Sequence, residues 1–343
     1  MKDNSSALKT ESVIMGYGLG VTALHVIGIC LLAVSLPHHP TLLGLGFLAY
    51  TFGLRHAFDA DHIAAIDNTV RKLRQDNKPS IGVGFYFSLG HSTVVFVMAV
   101  VAAFAAQWAQ KSIPVLQNIG GMTGTIVSAT FLFIIGVINL VVLLNLYQVF
   151  KKMHSHSFDE KQFDDLLHSR GVIYRFISPL VRVVKKSWHM YPIGFLFGLG
   201  FDTASEVALL AISVEATKNA FPLAGIIALP TLFASGMSLM DTADGVFMTT
   251  AYNWAFATPV RKVYYNLTVT GLSVLAALFI GLIEVAQVVT AAVGVKQGFW
   301  SWLEHVNFGI LGLVLVCLFI TAWVVSFGIW KLRRIEQRWS SSN

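Results

Sequence analysis

The chain has 343 residues, 55% of them hydrophobic and only 12% charged, with a net charge of +6. Soluble domains carry about 25% charged residues, so this composition excludes an ordinary water-soluble globular protein. It predicts an all-α polytopic membrane protein, in which every backbone polar group of a span is satisfied within its own helix.

Eight apolar runs are long enough to span a bilayer, at roughly 13–36, 42–68, 81–108, 122–150, 190–216, 222–252, 264–294 and 301–330. They form a single integral membrane domain over 1–343, whose one long polar connector is 151–189. The polar start, Met1 to Ser12, leads straight into the first run without a small-residue cleavage site. The first span therefore reads as an uncleaved signal-anchor.

Lys and Arg set the orientation. With the N-terminus in the cytoplasm, 20 of the 24 basic residues fall in cytoplasmic segments, including Arg71, Lys72, Arg74 and Lys78. Only Lys111, Lys218 and Lys296 fall outside, and Arg55 is the one left within a span. Both termini are expected in the cytoplasm of a cell whose inner membrane holds the protein. The positive charge thus marks topology and is not a nucleic-acid surface.

Taken in order, the first span carries a lone polar residue, His25, which reads as support for the neighbouring span or as a selectivity element. The turn Pro37-His38-His39-Pro40 lies outside, where it could receive a metal ion. The second span holds the densest polar stretch, Arg55-His56-Ala57-Phe58-Asp59-Ala60-Asp61-His62. A charge at the bilayer centre costs about 2.5–3.5 kcal/mol on insertion scales, so this group implies a use. On an ideal helix His56, Asp59 and His62 fall within about 120° of one another, and Asp61 falls on the opposite side. For Asp61 to act with them the helix must depart from ideal geometry there. Otherwise Asp61 faces another partner, such as Arg55 or a second helix.

The third span carries His91 in Gly90-His91-Ser92-Thr93, as direct ligand or as support. The cytoplasmic connector contains His154, His156 and His168 beside four acids, and reads as a solvated segment or a weak metal buffer. The fifth span carries Asp202, Thr203, Ser205 and Glu206, its acids four apart on one face. The sixth carries Asp241, Thr242 and Asp244. Glu284 in the seventh span and Glu304-His305 at the start of the eighth are less informative. Cys30 and Cys317 lie in separate apolar runs and form no CxxC, which argues against a thiolate site.

An internal echo links Phe58-Asp59-Ala60 to Phe201-Asp202-Thr203, each followed in the next span by a glycine-flanked polar insert, Gly90-His91-Ser92 and Gly236-Met237-Ser238. The two halves run in opposite directions. This predicts an inverted three-helix repeat of spans 2–4 and 5–7, as in many secondary transporters.

The chemistry points to a divalent transition-metal ion. His56, Asp61, His62 and Asp59 would replace its water with nitrogen and oxygen ligands. His91 would add a further ligand or support, and Arg55, Asp202, Glu206, Asp241, Asp244 and His25 would support the site or the path. Such ligands suit Ni2+, Co2+ and Zn2+ better than Cu+, Mg2+ or Ca2+. No GxxxxGK[ST] phosphate loop occurs, so ATP hydrolysis by that route is excluded and no ATPase subunit is evident. A membrane metalloenzyme would want HExxH or clustered HxxHH, and neither occurs. An exporter on the same scaffold is the nearer alternative.

The four polar segments together resemble the nickel/cobalt transporter family of eight-helix permeases. Arg55 to Ile63 matches its H-x4-D-H signature within RHAxDADHI, giving His56, Asp61 and His62. Phe87 to Val95 matches FxxGHSTVV and marks His91. Leu199 to Glu206 matches LGxDTATE, with Ser205 in place of the second Thr. Gly236 to Asp244 matches GMxxxDTxD. The resemblance implies high-affinity import of Ni2+, often with Co2+, with no cofactor, and a central role for the second span.

Overall fold

The computed structural model describes residues 2–104, 122, 124–141, 143–144, 147, 184–199, 204–219, 221–255, 259–293, 298–300, 306 and 308–332. These residues are helical or in turns and contain no strand, as expected of an all-α membrane protein. The helices are α1 (Lys2–Ser35), α2 (Leu42–His56), α3 (Ala60–Gln75), α4 (Val83–Phe104), α5 (Gly124–Val141), α6 (Met190–Phe197), α7 (Ala204–Lys218), α8 (Leu223–Ala255), α9 (Pro259–Val293) and α10 (Phe308–Leu332). Five contain a stretch long and apolar enough to cross a bilayer alone: Glu11–Ser35, Val83–Phe104, Gly124–Val141, Leu223–Asn253 and Thr270–Thr290. Most of the 151–189 connector lies outside the described residues, as do Asp202 and Glu304-His305.

The second and fifth apolar runs are not continuous helices. The run at 42–68 is α2 and α3, separated by Ala57-Phe58-Asp59. The run at 190–216 is α6 and α7, interrupted after Phe197. An apolar window does not see such a break, because it averages hydropathy and ignores backbone hydrogen bonds. At the first break the amides of Phe58 and Asp59 donate to the carbonyls of Arg55 and His56, closing α2 with a tight turn. Asp59 is then extended (φ −66°, ψ 143°), and its carbonyl accepts the Ile63 amide that starts α3. Its side chain does not cap α3.

Glycines set the closest helix crossings. A Cβ added at Gly53 of α2 would lie 2.0 Å from the Phe233 carbonyl oxygen of α8, and one at Gly236 of α8 would lie 2.6 Å from that of Tyr50 in α2. The same relation joins α6 to α4. A Cβ at Gly194 would lie 2.0 Å from the Phe87 oxygen, and one at Gly90 would lie 2.0 Å from the Tyr191 oxygen. Tyr-x-x-Gly on each broken run thus meets Phe-x-x-Gly on a helix of the other half. Gly312 of α10 backs the first break, 1.6 Å from the Phe58 oxygen by the same construction. Small residues permit such approach in membranes, where packing replaces hydrophobic drive. Gly53→Leu and Gly194→Leu should each greatly reduce the yield of monodisperse protein on detergent size-exclusion chromatography. Normal yield of both variants would mean the crossings are not structural requirements.

Two apolar layers flank the middle of the molecule. One gathers Ile63, Ile66 and Val70 of α3 with Val83 and Phe87 of α4 and Met248 and Tyr252 of α8. The other gathers Ala49 of α2 with Val94 to Ala103 of α4 and Ile226 to Met237 of α8. Between them α4 contributes Ser88, His91 and Ser92, and α8 contributes Ser238, Asp241 and Thr242, all buried. Ser88 Oγ donates to Ser238 Oγ across this polar belt at 3.1 Å.

A second buried polar group lies further along α3. Asp67 and Arg71, both fully buried, form an i,i+4 ion pair. The Tyr252 hydroxyl donates to Asp67 Oδ1 at 2.6 Å and accepts from Arg71 Nε at 3.0 Å. Arg71 Nη1 also donates to the Thr270 carbonyl of α9, and Lys72 Nζ to that of Val184. Arg71 and Lys72, read from sequence as loop charges, are therefore interior groups that tie α3 to its neighbours.

Candidate metal centre

The break between α2 and α3 places His56 at the end of one helix and His62 in the first turn of the next. His91 comes from α4. All three imidazoles are buried, and one nitrogen of each lies within 4.8 Å of the others. Their ring centroids form a nearly equilateral triangle with sides of 4.7, 4.8 and 4.8 Å. His56 Nε2 and His91 Nε2 approach to 2.9 Å.

Each imidazole has a carboxylate partner from a different element. His56 Nδ1 lies 3.1 Å from Asp59 Oδ2 and 3.3 Å from Ser205 Oγ of α7. His62 Nδ1 donates to Asp241 Oδ2 of α8 at 3.3 Å. His91 Nε2 donates to Glu206 Oε1 of α7 at 2.9 Å, and the same oxygen lies 3.7 Å from His56 Nε2. A carboxylate on one ring nitrogen fixes the tautomer and leaves the other nitrogen as an electron-pair donor. His62 Nε2 and His91 Nδ1 are buried without a hydrogen-bond partner, as are Ser92 Oγ and Asp241 Oδ1. Such orphaned groups are costly in a settled interior. Neutral imidazole nitrogens beside carboxylates are the donor set of a borderline divalent transition metal.

The structure thus brings together His56, His62, His91, Asp59, Glu206 and Asp241. Asp59 sits on the far nitrogen of His56, away from the triangle. Asp61, in the first turn of α3, is partly exposed and makes no ion pair with the three imidazoles. Arg55 is exposed on α2 and makes no ion pair among the described residues. Asp244 lies a turn beyond Asp241, beside a cavity of about 210 Å3 lined by Phe58, Ile63, Met240 and Phe319. Its Oδ2 has no hydrogen-bond partner. His25 is half-buried on α1, with Nδ1 on the Val21 carbonyl and Nε2 3.3 Å from the Tyr50 hydroxyl. It reaches α2 but not the triangle. His39 packs edge-on against Phe221, and His38 is exposed.

Sequence reasoning gave no role to Ser205, Asp67 or Tyr252, nor to two buried phenylalanines. Phe87 meets the His62 ring edge-on at 4.8 Å, and Phe233 lies 5.7 Å from the His56 ring. The i,i+4 spacing of Asp67 and Arg71 was an available signal for their ion pair. Phe87 opens the FxxGHSTVV match, but no role was read from it, and nothing local marks Phe233.

Comparison with known proteins points to nickel-transporting relatives. A family model described as "High-affinity nickel-transport protein" matches residues 42–329. The chain is 53% identical over 320 residues to the nickel transporter NixA of Staphylococcus aureus, covering 93% of this chain and 95% of that one. It is 51% identical over 323 residues to the high-affinity nickel-transport protein NixA of Helicobacter pylori, covering 92% and 96%. It is 40% identical over 315 residues to the cobalt transport protein NhlF of Rhodococcus rhodochrous, covering 88% of each. No solved structure matches.

Proposed function

The chain belongs to the high-affinity nickel-transport protein family, and from that premise we propose that His56, His62 and His91 bind the travelling ion midway across the membrane. The protein is a multi-pass membrane transporter of Ni2+ and not an enzyme; nickel is its cargo rather than a cofactor. The observation that carries the site is the convergence of three buried imidazoles, each with its own carboxylate. Metal–nitrogen bonds of about 2 Å require the rings to draw in slightly from their present spread. Glu206 lies within reach of two of the rings, 2.9 Å from His91 and 3.7 Å from His56, and would add charge to the site.

Uptake is high-affinity and directed into the cytoplasm, across the inner membrane, with both termini cytoplasmic; the distribution of Lys and Arg supports that orientation. A divalent ion gains about 4.6 kcal/mol per 100 mV on moving inward, so the membrane potential can drive import without ATP. Co2+ is a second substrate, in keeping with the donor chemistry and with a cobalt-transporting relative. The runs α2–α5 and α6–α9 act as inverted repeats that rock about the site, and the matched glycine crossings support this.

The test is accumulation of radioactive nickel at nanomolar concentration by cells expressing the chain, beside His56→Ala and with excess Co2+, Zn2+ or Mg2+. Uptake that needs His56 and is blocked by Co2+ but not by Mg2+ is expected. Absence of uptake by well-inserted protein, with lowered cellular nickel, would indicate export instead.

A further inference from the structure

The polar belt is bordered on both sides by apolar layers, and one fully buried phenylalanine from each layer touches the imidazole triangle. Phe87 belongs to the α3-side layer. Its ring stands at 86° to that of His62, 4.8 Å between centroids, and also packs on Phe197 at 5.2 Å. Phe233 belongs to the α2-side layer and tilts at 39° against His56, 5.7 Å away. Because α2 leads into the site and α3 leads away from it, the two rings lie on its opposite sides.

Their backbones are held alike. The Phe233 carbonyl rests on Gly53 of α2, and the Phe87 carbonyl rests on Gly194 of α6. Each ring is therefore tied to the broken run of the other half, within a single contact of a helix end that would move if the break flexed. Among the described residues, these are the two aromatic side chains that both touch the triangle and anchor a glycine crossing.

We propose that Phe233 and Phe87 are the residues that close the metal centre, Phe233 towards the α2 side and Phe87 towards the α3 side. Each shields the imidazoles from water on its own side, and displacement of one ring at a time gives the ion alternate access. This inference rests on the reading of His56, His62 and His91 as the ion site.

The test uses the full chain with Cys30→Ser and Cys317→Ser, carrying Ser92→Cys as a reporter. Ser92 adjoins His91 and its hydroxyl is buried without a partner. Oriented membrane vesicles are treated with a small charged methanethiosulfonate from either side. The parent should react slowly from both. Phe233→Ala should raise the rate about tenfold or more from the α2 side alone, and Phe87→Ala by a similar factor from the α3 side alone. Phe→Leu at each position, which keeps an apolar side chain but loses the ring, should act in the same directions and carries the test if an alanine variant does not insert. Phe→Tyr should keep the parent's slow rates. Both positions opening the same side, or inserted leucine variants reacting as slowly as the parent, would overturn the proposal. Nickel uptake by the parent is scored separately, so failure of the transport reading is distinguishable from failure of the gates.

Discussion

Replacing His62 with alanine should abolish nickel accumulation while the protein still reaches the membrane. His62 is fully buried, and its Nδ1 is committed to Asp241, so its free Nε2 is left with no role in the fold. A buried nitrogen of this kind is unfavourable unless something else binds it. Removing the ring deletes one corner of the triangle and opens space beside Phe87. The expected loss is essentially complete, because two imidazoles cannot replace the water shed by a divalent ion. Asp241→Asn tests the same corner more gently. The amide can still meet Nδ1, but it no longer favours the tautomer that directs Nε2 inward. Loss of such a supporting carboxylate typically lowers metal affinity by about 10–100-fold. Initial uptake rates measured across nickel concentrations, at matched membrane levels, should show a raised half-saturation for Asp241→Asn and no saturable uptake for His62→Ala. Wild-type uptake by His62→Ala would remove this residue from the ion path.

The second large effect concerns stability. Arg71→Met should destabilise the folded protein by about 3–5 kcal/mol, because it leaves the Asp67 carboxylate buried without its cation. Tyr252 can satisfy only one of its oxygens. Asp67→Leu should be as harmful, stranding the guanidinium among α3, α8 and α9. The double variant should recover much of the loss, since replacing a whole buried pair with apolar side chains is often neutral or better. Tyr252→Phe keeps the ion pair and should cost less than either single charge removal. Thermal unfolding in detergent, followed by size-exclusion chromatography, reads all four. Equal stability of Arg71→Met and the parent would mean that water or lipid headgroups reach Asp67.

Much of this arrangement was legible in the chain itself. Charges within an apolar run flagged His56 to His62, and helical spacing put His56 and His62 on one face. The lack of a CxxC, with Cys30 and Cys317 far apart in separate runs, restricted the metal. Polar residues on later spans pointed to Glu206 and Asp241. What was hidden depends on contacts between distant segments. A continuous helix over 42–68 would set His56 and His62 about 120° apart, yet the turn at Ala57-Phe58-Asp59 resets their angular relation. Asp59 therefore supports His56 from behind, and Arg55, one of the partners offered for Asp61, is exposed and forms no ion pair among the described residues. Arg71 counted as a topological marker because a basic residue at the end of an apolar run ordinarily faces water. Its burial follows from Tyr252 and Thr270, roughly 180 and 200 residues later. The phenylalanines carry no polar atom; Phe233 looks like any other packing residue, and Phe87, though it opens a motif match, shows its contact with His62 only in the fold.

The crossed pairing of the two halves has a consequence for biosynthesis. Tyr50 and Gly53 of α2 wait for Phe233 and Gly236 of α8, about 180 residues downstream. At roughly 5–20 residues per second, synthesis of that interval takes about 10–40 s. Throughout it, His62 has no Asp241 to meet, and Glu206 is itself made only near the end of the interval. The newborn N-terminal half must be sheltered by the insertion machinery or held at the membrane surface. The His62 corner of the ion site is therefore completed only after α8 has been made, and a chain truncated before that helix would lack both its carboxylate and the crossing that holds the first break.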